Sequence, residues 1–475
     1  MSRIVLLGYG TVGRCALPLF IENALVPPQD ILVLDQIPEP AEFAPFKLSG
    51  VRYFSRKVTP SNLGDVLGEF ARAGDLLVNL SVSVSCLAVA DWCQQNGVAY
   101  MDTAFEPWGD NLYGDAQKPS ERTMYWEHFS ARRHAREKWT SRGPSAVFGH
   151  GANPGLVSHF AKAALSELAR SVGGSRFTMP ANRREWGMLA KELGVKVMHI
   201  SERDTQITSA PKLVDEFVNT WSIFSFIEES CRPVEIGWGT HERARPVGAL
   251  EHQEGNRNCI YVPVPSTQFL IKSWVPVGGS IEGISLPHSE CVTISDYFTL
   301  DLQEGGHYRP TVSYCYLPCD SAMASLHEVR MNNWRIPKQQ RILANEIVDG
   351  ADELGVLVLG SPHGSWWFGS RLTIHETRKI AKDTNPTAMQ VAAGVLGAAR
   401  WILDNPSEGY CESEDLPFEQ ILQYARPYLG SLMSTKTQWH PFRDELRLFD
   451  DVLLDRDDPW QFNNFIVNPG FRGAR

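Results

Sequence analysis

The segment Ile4-Val5-Leu6-Leu7-Gly8-Tyr9-Gly10-Thr11-Val12-Gly13 decides how this chain is read. Four apolar residues run into a glycine turn, and further apolar residues at 16–21 follow at helical spacing. The pattern is a strand, a Gly-x-Gly-x-x-Gly turn and a helix over 11–21. That context gives an otherwise weak motif its meaning. Gly8 permits the tight turn, Gly10 lets backbone approach a pyrophosphate, and Gly13 lets helix and strand pack closely. The N–H groups at the helix start, around Thr11 and Val12, then face negative phosphates.

Working outward, a second strand at 31–34 ends at Asp35, about 20 residues on, where an acid bonds the adenine ribose hydroxyls. A carboxylate there repels a 2′-phosphate, so NAD is expected over NADP. Strands at 51–54, 76–78 and 98–101 alternate with helices at 62–71, opened by Ser61, and at 86–95. This alternation predicts an α/β fold with a parallel, doubly wound sheet of Rossmann type. Asn79 and Ser81 close the fourth strand and are placed either to touch the nicotinamide half or to cap the next helix. Glu106, after the fifth strand, is expected at the same edge.

The alternation breaks at 107–143, a polar and aromatic excursion with a basic helix candidate at 132–138. A strand at Ala146–Phe148 then leads into Gly149-His150-Gly151-Ala152-Asn153-Pro154-Gly155 and a helix over 156–169, with Asn153 the expected cap. From 180 to 385 strand candidates dominate (195–200, 260–264, 269–274, 311–316, 355–359), predicting an α+β domain around a mixed sheet. An apolar helix over 387–403 follows. The expected division is a dinucleotide-binding domain at 1–150, a catalytic domain at 151–385, and a C-terminal segment at 386–475 that packs back on the first domain.

Composition narrows the class. The net charge of −10 argues against nucleic acid and suits a cationic or neutral substrate. No apolar run approaches the roughly 20 residues of a membrane helix, and no secretory leader is seen, so a cytoplasmic location is expected. The nine cysteines are scattered; only Cys315 and Cys319 lie close, with nothing to complete a zinc pattern. Reduced thiols and no metal are expected.

Several strings combine acids with costly aromatics: Glu202-Arg203-Asp204, Asn219-Thr220-Trp221-Ser222, Glu228-Glu229, His288-Ser289-Glu290 and Asp349-Gly350-Ala351-Asp352-Glu353. Taken singly, each has a bland account. Acids near strand ends are usually solvated or paired, here with Arg203 or Arg243, and Trp221 beside Phe217 and Phe224 reads as packing.

Together these strings resemble the bacterial homospermidine synthases over almost the whole chain. The resemblance is carried by the glycine turn, Asn79-Leu80-Ser81-Val82, Glu106-Pro107-Trp108, the 151–155 loop, Glu202-Arg203-Asp204-Thr205-Gln206, Val218-Asn219-Thr220-Trp221-Ser222, Gly237-Trp238-Gly239-Thr240, the 349–357 string and Asp458-Pro459-Trp460-Gln461-Phe462. It implies a saccharopine dehydrogenase-like fold, a homodimer, and bound NAD that oxidises one putrescine to an imine. A second putrescine then displaces ammonia, and the same NADH reduces the new imine to homospermidine.

The resemblance also implies residue roles. Trp221 would face the iminium by a cation–π contact, worth about 2 kcal/mol when desolvated. Glu202 and Glu229 would bind ammonium ends or take protons, and Glu106 would hold a substrate amine. Asn153 would orient substrate near the hydride-transfer carbon, and His288 and Asp352 would complete the polar wall. A carboxylate or His288 must act as base, because only a neutral amine gives up hydride. Where that family often carries an acid after Asn-Leu-Ser-Val, this chain has Ser83, which implies one carboxylate fewer in the amine-binding set.

Two other readings differ in their residues. A saccharopine or carboxynorspermidine dehydrogenase needs a converging arginine, such as Arg203, for a substrate carboxylate. A dinucleotide-binding regulator without chemistry needs no buried acids in the second domain.

Overall fold

Strands that are apolar on both faces must be covered on both faces, and the inner strands of the first sheet are of this kind. The computed structural model describes residues 2–109, 118–140, 142–174, 177–301, 307–443 and 454–473. Seven parallel strands lie in the order Tyr410–Glu412, Ala146–Phe148, Ala99–Asp102, Leu76–Asn79, Ile4–Leu7, Ile31–Asp35 and Arg52–Ser55. Ile4, Val5 and Leu6 are wholly buried, as are Ile31, Val33 and Leu34. The apolar helix Pro386–Asp404 covers this sheet and packs on the helix Thr11–Glu22. Asn385 starts it, accepting from the Ala388 amide at 2.8 Å.

Two expectations about helix starts change. The helix Leu63–Phe70 is entered through Asn62, whose Oδ1 accepts from the Thr59 amide instead of capping; Ser61 plays no part. The helix Cys86–Asn96 is capped by Ser85, which accepts from the Ala88 amide, so neither Asn79 nor Ser81 is a cap.

The second sheet has ten strands and is mixed. At its centre Val197–Asp204 runs parallel to Thr311–Leu317 and antiparallel to Ala351–Leu359. Ser365–Thr373 and Ser431–Thr437 extend one side, and Pro233–Gly237, Cys259–Pro265 and Leu250–Glu251 the other. A hairpin of Leu270–Val275 and Gly279–Leu286 joins at Thr311–Leu317. Phe269, Ile271, Trp367, Phe462 and Phe465 share its core.

The chain divides into two compact units, and their bounds differ from the expected ones. One holds Met1–Ala116, Glu127–Leu156 and Thr377–Leu429; the other holds Gln117–Trp126, Val157–Glu376 and Gly430–Arg475. The C-terminal segment therefore does not return whole to the first unit. From Gly430 it belongs with the second, because Ser431–Thr437 pairs with Ser365–Thr373 and Phe462, Phe465 and Ile466 enter that core. The excursion at 107–143 splits likewise, apart from residues 110–117 and 141, which lie outside those described. Met124 and Tyr125 donate their amides to buried Glu235 in the second unit, at 2.8 and 2.9 Å. Arg132 makes a two-pronged contact with Glu412 in the first, at 2.7 and 2.6 Å. Among the described residues no helix is long and apolar enough to cross a membrane.

Candidate active site

The glycine turn divides its three tasks among its three glycines. Gly8 has φ +100°, a conformation side chains avoid, and a Cβ there would lie 2.7 Å from the Leu80 and Ser81 backbone. A Cβ on Gly13 would lie 2.5 Å from the Gly8 carbonyl oxygen, so this position sets how closely helix and strand approach. Gly10 is exposed, and a Cβ there would meet nothing within 4 Å. No side chain caps the helix that Thr11 and Val12 begin, which leaves its first amides facing the space over Gly10. An open cradle lined by backbone donors suits a pyrophosphate.

Asp35 locks this turn to the second strand. Its Oδ2 accepts from the Tyr9 amide at 2.6 Å and its Oδ1 from the Ile37 amide at 2.9 Å. Each oxygen keeps a lone pair for a ribose hydroxyl. Asn79 is buried and Ser81 half-buried; Asn79 Oδ1 accepts from the Ser81 amide and hydroxyl at 3.2 and 2.5 Å. Glu106 is half-buried beside Cys86, whose Sγ accepts from the Glu106 amide at 3.3 Å. Ser83 sits in the left-handed region at φ +63°, its carbonyl accepting from the Gly109 amide at 3.2 Å. Asn153 lies in the turn between the strand Ala146–Phe148 and the helix Leu156–Gly173.

Asp102 is a buried acid whose importance the sequence did not mark. Its carboxylate accepts from the Gly149 amide at 2.6 Å and the Tyr100 hydroxyl at 2.7 Å. Burial pushes it up to about 7, against the pull of these donors. It ties the ends of two neighbouring strands and fixes the first residue of the loop that carries Asn153.

In the second unit strand alternation sorts the polar residues onto two faces. Glu202 and Asp204 share one face of Val197–Asp204. Tyr316 stands opposite Glu202 in register, and Asp352 opposite Asp204. All four are buried. Tyr314, two residues before Tyr316, donates its hydroxyl to Glu202, and the two tyrosine rings stack with centroids 5.7 Å apart. The Trp221 indole N–H donates to the Tyr316 hydroxyl at 3.1 Å, and its ring lies 5.0 Å from Phe226. Thr220 donates to Asp204 at 2.7 Å, and burial raises that acid above the usual carboxylate range.

His288 joins the same cluster. Its ring is 5.1 Å from Tyr314; its Nδ1 lies 2.5 Å from buried Glu290 and its Nε2 3.7 Å from Glu229. Burial alone would push this histidine down, but Glu290, Glu229 and Glu202 outweigh it and raise it to about 9. Glu228 is paired instead with Arg232, so Glu229 is the member of the doublet that belongs here.

Trp221, Glu202, Glu229, His288 and Asp352 thus fall within one acidic and aromatic cluster. Tyr314, Tyr316, Asp204 and Glu290 complete it; the two acids stand in the quoted strings without an assigned role, and the two tyrosines were not singled out from sequence. The signal was present in Ser313-Tyr314-Cys315-Tyr316, whose period of two sends both tyrosines to one face. Arg203 is on the opposite face, where a Cβ on Gly278 would lie 2.6 Å from its Cδ. Glu202, Asp204, Glu290 and Asp352 are buried and Glu229 is half-buried. Among the described residues no group of three His, Cys, Asp or Glu could hold a metal ion.

Comparison with known proteins places this geometry. Residues 4–147 match the saccharopine dehydrogenase NADP binding domain and residues 151–436 the saccharopine dehydrogenase C-terminal domain. The chain is 40% identical over 473 residues to a homospermidine synthase of Blastochloris viridis, covering 98% of this chain and 97% of that one. It is 37% identical to a homospermidine synthase of Mesorhizobium japonicum, covering 98% and 96%. The crystal structure of the Legionella pneumophila homospermidine synthase in complex with NAD superposes with a TM-score of 0.90 at 37% identity, over 98% of each chain.

Proposed function

The chain belongs to the homospermidine synthase family, and from that premise we propose that it joins two putrescine molecules into homospermidine, releasing ammonia, with NAD as its resident cofactor. The observation that carries the reading is the second-unit cluster: several buried carboxylates beside an aromatic ladder. Such a wall of carboxylates and aromatic faces suits the two ammonium groups of a diamine.

Gly8, Gly10, Gly13, Thr11 and Val12 would hold the pyrophosphate, Asp35 the adenine ribose, and Asn79 and Ser81 the nicotinamide end. When bound, NAD takes hydride from the putrescine carbon and later returns it, so no net redox change occurs. The Asp35 carboxylate supports NAD over a cofactor bearing a 2′-phosphate.

An ammonium must lose a proton before its carbon can give up hydride. Because Glu290 and Glu229 favour a charged His288, the acceptor is a carboxylate, with Glu229 and Glu202 in that role. Hydride loss leaves an iminium, over whose charge the Trp221 face would sit. The second diamine adds its neutral nitrogen to that carbon. The added nitrogen gives up a proton to Glu229 or Glu202, His288 gives a proton to the departing nitrogen, ammonia leaves, and hydride return to the new iminium completes the secondary amine. Glu106, Asp352 and Ser83 would line the remaining amine positions, and Asn153 would orient the reacting carbon. The homodimer and cytoplasmic setting expected from sequence belong to this proposal as well.

Purified enzyme given putrescine and NAD should form homospermidine and ammonia in equal amounts without accumulating NADH. Steady NADH production with no polyamine product would overturn the reading.

A further inference from the structure

Two residues apart on one strand, Tyr314 and Tyr316 each hold one member of the amine-binding cluster. Tyr314 donates to the Glu202 carboxylate, and Tyr316 accepts from the Trp221 indole. Both tyrosines are buried, stack at an interplanar angle of 16°, and belong to the Thr311–Leu317 strand in the interior of the ten-stranded sheet. Strand neighbours on one face are spaced by about 6.7 Å, and a strand bonded on both sides cannot slide. Trp221 itself is half-buried and starts no regular element; it lies just before the helix Ile223–Cys231. Its ring packs 5.0 Å from Phe226 and its N–H donates to the Tyr316 hydroxyl, and Phe226 and Tyr316 themselves lie 5.9 Å apart.

The cation-binding ring and the Glu202 carboxylate are therefore both referenced to side chains of one rigid strand. An extended four-carbon diamine holds its nitrogens roughly 6 Å apart, five bonds of about 1.5 Å in a zigzag. We propose that Tyr316 and Tyr314 are positioning residues that measure diamine length, by fixing the separation between the Trp221 face and the Glu202 carboxylate. The inference rests on the diamine reading above and adds the residues that choose among diamines.

Glu202, Asp204 and Asp352 lie around Tyr316, and with its burial they keep the phenol neutral. It therefore stays fixed as the partner of the indole N–H across the working pH range. Without its hydroxyl the indole would pivot on Phe226, and the wall would accept amines of other lengths.

The test is steady-state kinetics of the NAD-loaded enzyme with putrescine, 1,3-diaminopropane and cadaverine. Tyr316→Phe should lower the putrescine-to-cadaverine ratio of kcat/KM about fivefold, the worth of one hydrogen bond, mainly through KM. Trp221→Phe removes the same bond from the other side and should shift the ratio in the same direction. The double variant should add nothing to that shift. Tyr314→Phe should alter the ratio separately by freeing Glu202. Equal losses on all three diamines, or an unchanged ratio, would overturn the ruler while leaving the diamine reading intact. Failure of the unaltered enzyme to convert any diamine would overturn the reading itself.

Discussion

Glu229 places its Oε1 3.7 Å from Nε2 of His288, while Glu228, one residue earlier, turns to Arg232. Adjacent acids on one helix thus serve different ends, one facing a cluster and the other closing a buried ion pair. Glu229→Gln should lower kcat by about 100-fold, the contribution of a general base. Glu228→Gln should leave kcat near normal but lower the denaturation midpoint, because it leaves Arg232 buried beside a neutral partner. Equal kinetic losses in both variants would reject the assignment.

His288 makes stability depend on pH in a defined direction. Its folded value of about 9 lies above the ordinary 6.5, so its contribution is fully present below about 6.5 and is lost as pH rises through about 9. The melting temperature of the native enzyme should therefore exceed that of His288→Gln by a margin that shrinks between pH 6.5 and 9. A margin constant across that interval would show that the acids facing it, Glu290, Glu229 and Glu202, do not hold the charge.

The glycine turn predicts a separation of folding from binding. Gly10→Ala puts a methyl group into open space at φ −78°, a conformation alanine accepts, so thermal stability should stay within about 0.5 kcal/mol of the parent. Dinucleotide affinity, read by calorimetry, should nonetheless fall strongly. Gly13→Ala should cost about 1–3 kcal/mol of stability, because its methyl group would lie 2.5 Å from the Gly8 carbonyl. Matching stability losses in the two variants would contradict the division of tasks.

Trp221→Leu keeps apolar bulk but loses the aromatic face. Turnover should drop about 30-fold, the rate equivalent of roughly 2 kcal/mol of cation–π stabilisation. Dinucleotide binding by titration should be unchanged. Unaltered turnover would remove Trp221 from the chemistry.

The first sheet was legible because strands buried on both faces read as apolar runs, and Ile4–Leu7, Ile31–Asp35 and Ala146–Phe148 emerged with bounds within a residue. Its seventh strand, Tyr410–Glu412, was not: it is three residues long and carries an acid bound to Arg132 and His128. Ser431–Thr437 escaped for a related reason, since most of its side chains are exposed or half-buried and it reads as polar loop. In the cluster, Trp221, Glu202, Asp204 and Asp352 stand in the strings that carry the family resemblance, and Glu229, His288 and Glu290 in the other acid-bearing strings. Tyr314 and Tyr316 were not singled out, because period-two alternation identifies a shared face but not what that face meets. Asp102 was hidden by the opposite problem: an acid at a strand end is ordinarily solvated, and only the Gly149 and Tyr100 donors show otherwise.

The strand Tyr410–Glu412 pairs with Ala146–Phe148 across more than half the chain. During synthesis the nucleotide-binding sheet therefore waits for its outer strand until the ribosome has made some 260 further residues, roughly a quarter of a minute to a minute at ordinary elongation rates. Over that interval the Ala146–Phe148 edge is open. A nascent chain stalled before residue 410 should be far more sensitive to protease and to edge-to-edge aggregation than the released full-length chain, and the order of translation becomes part of how this enzyme is made.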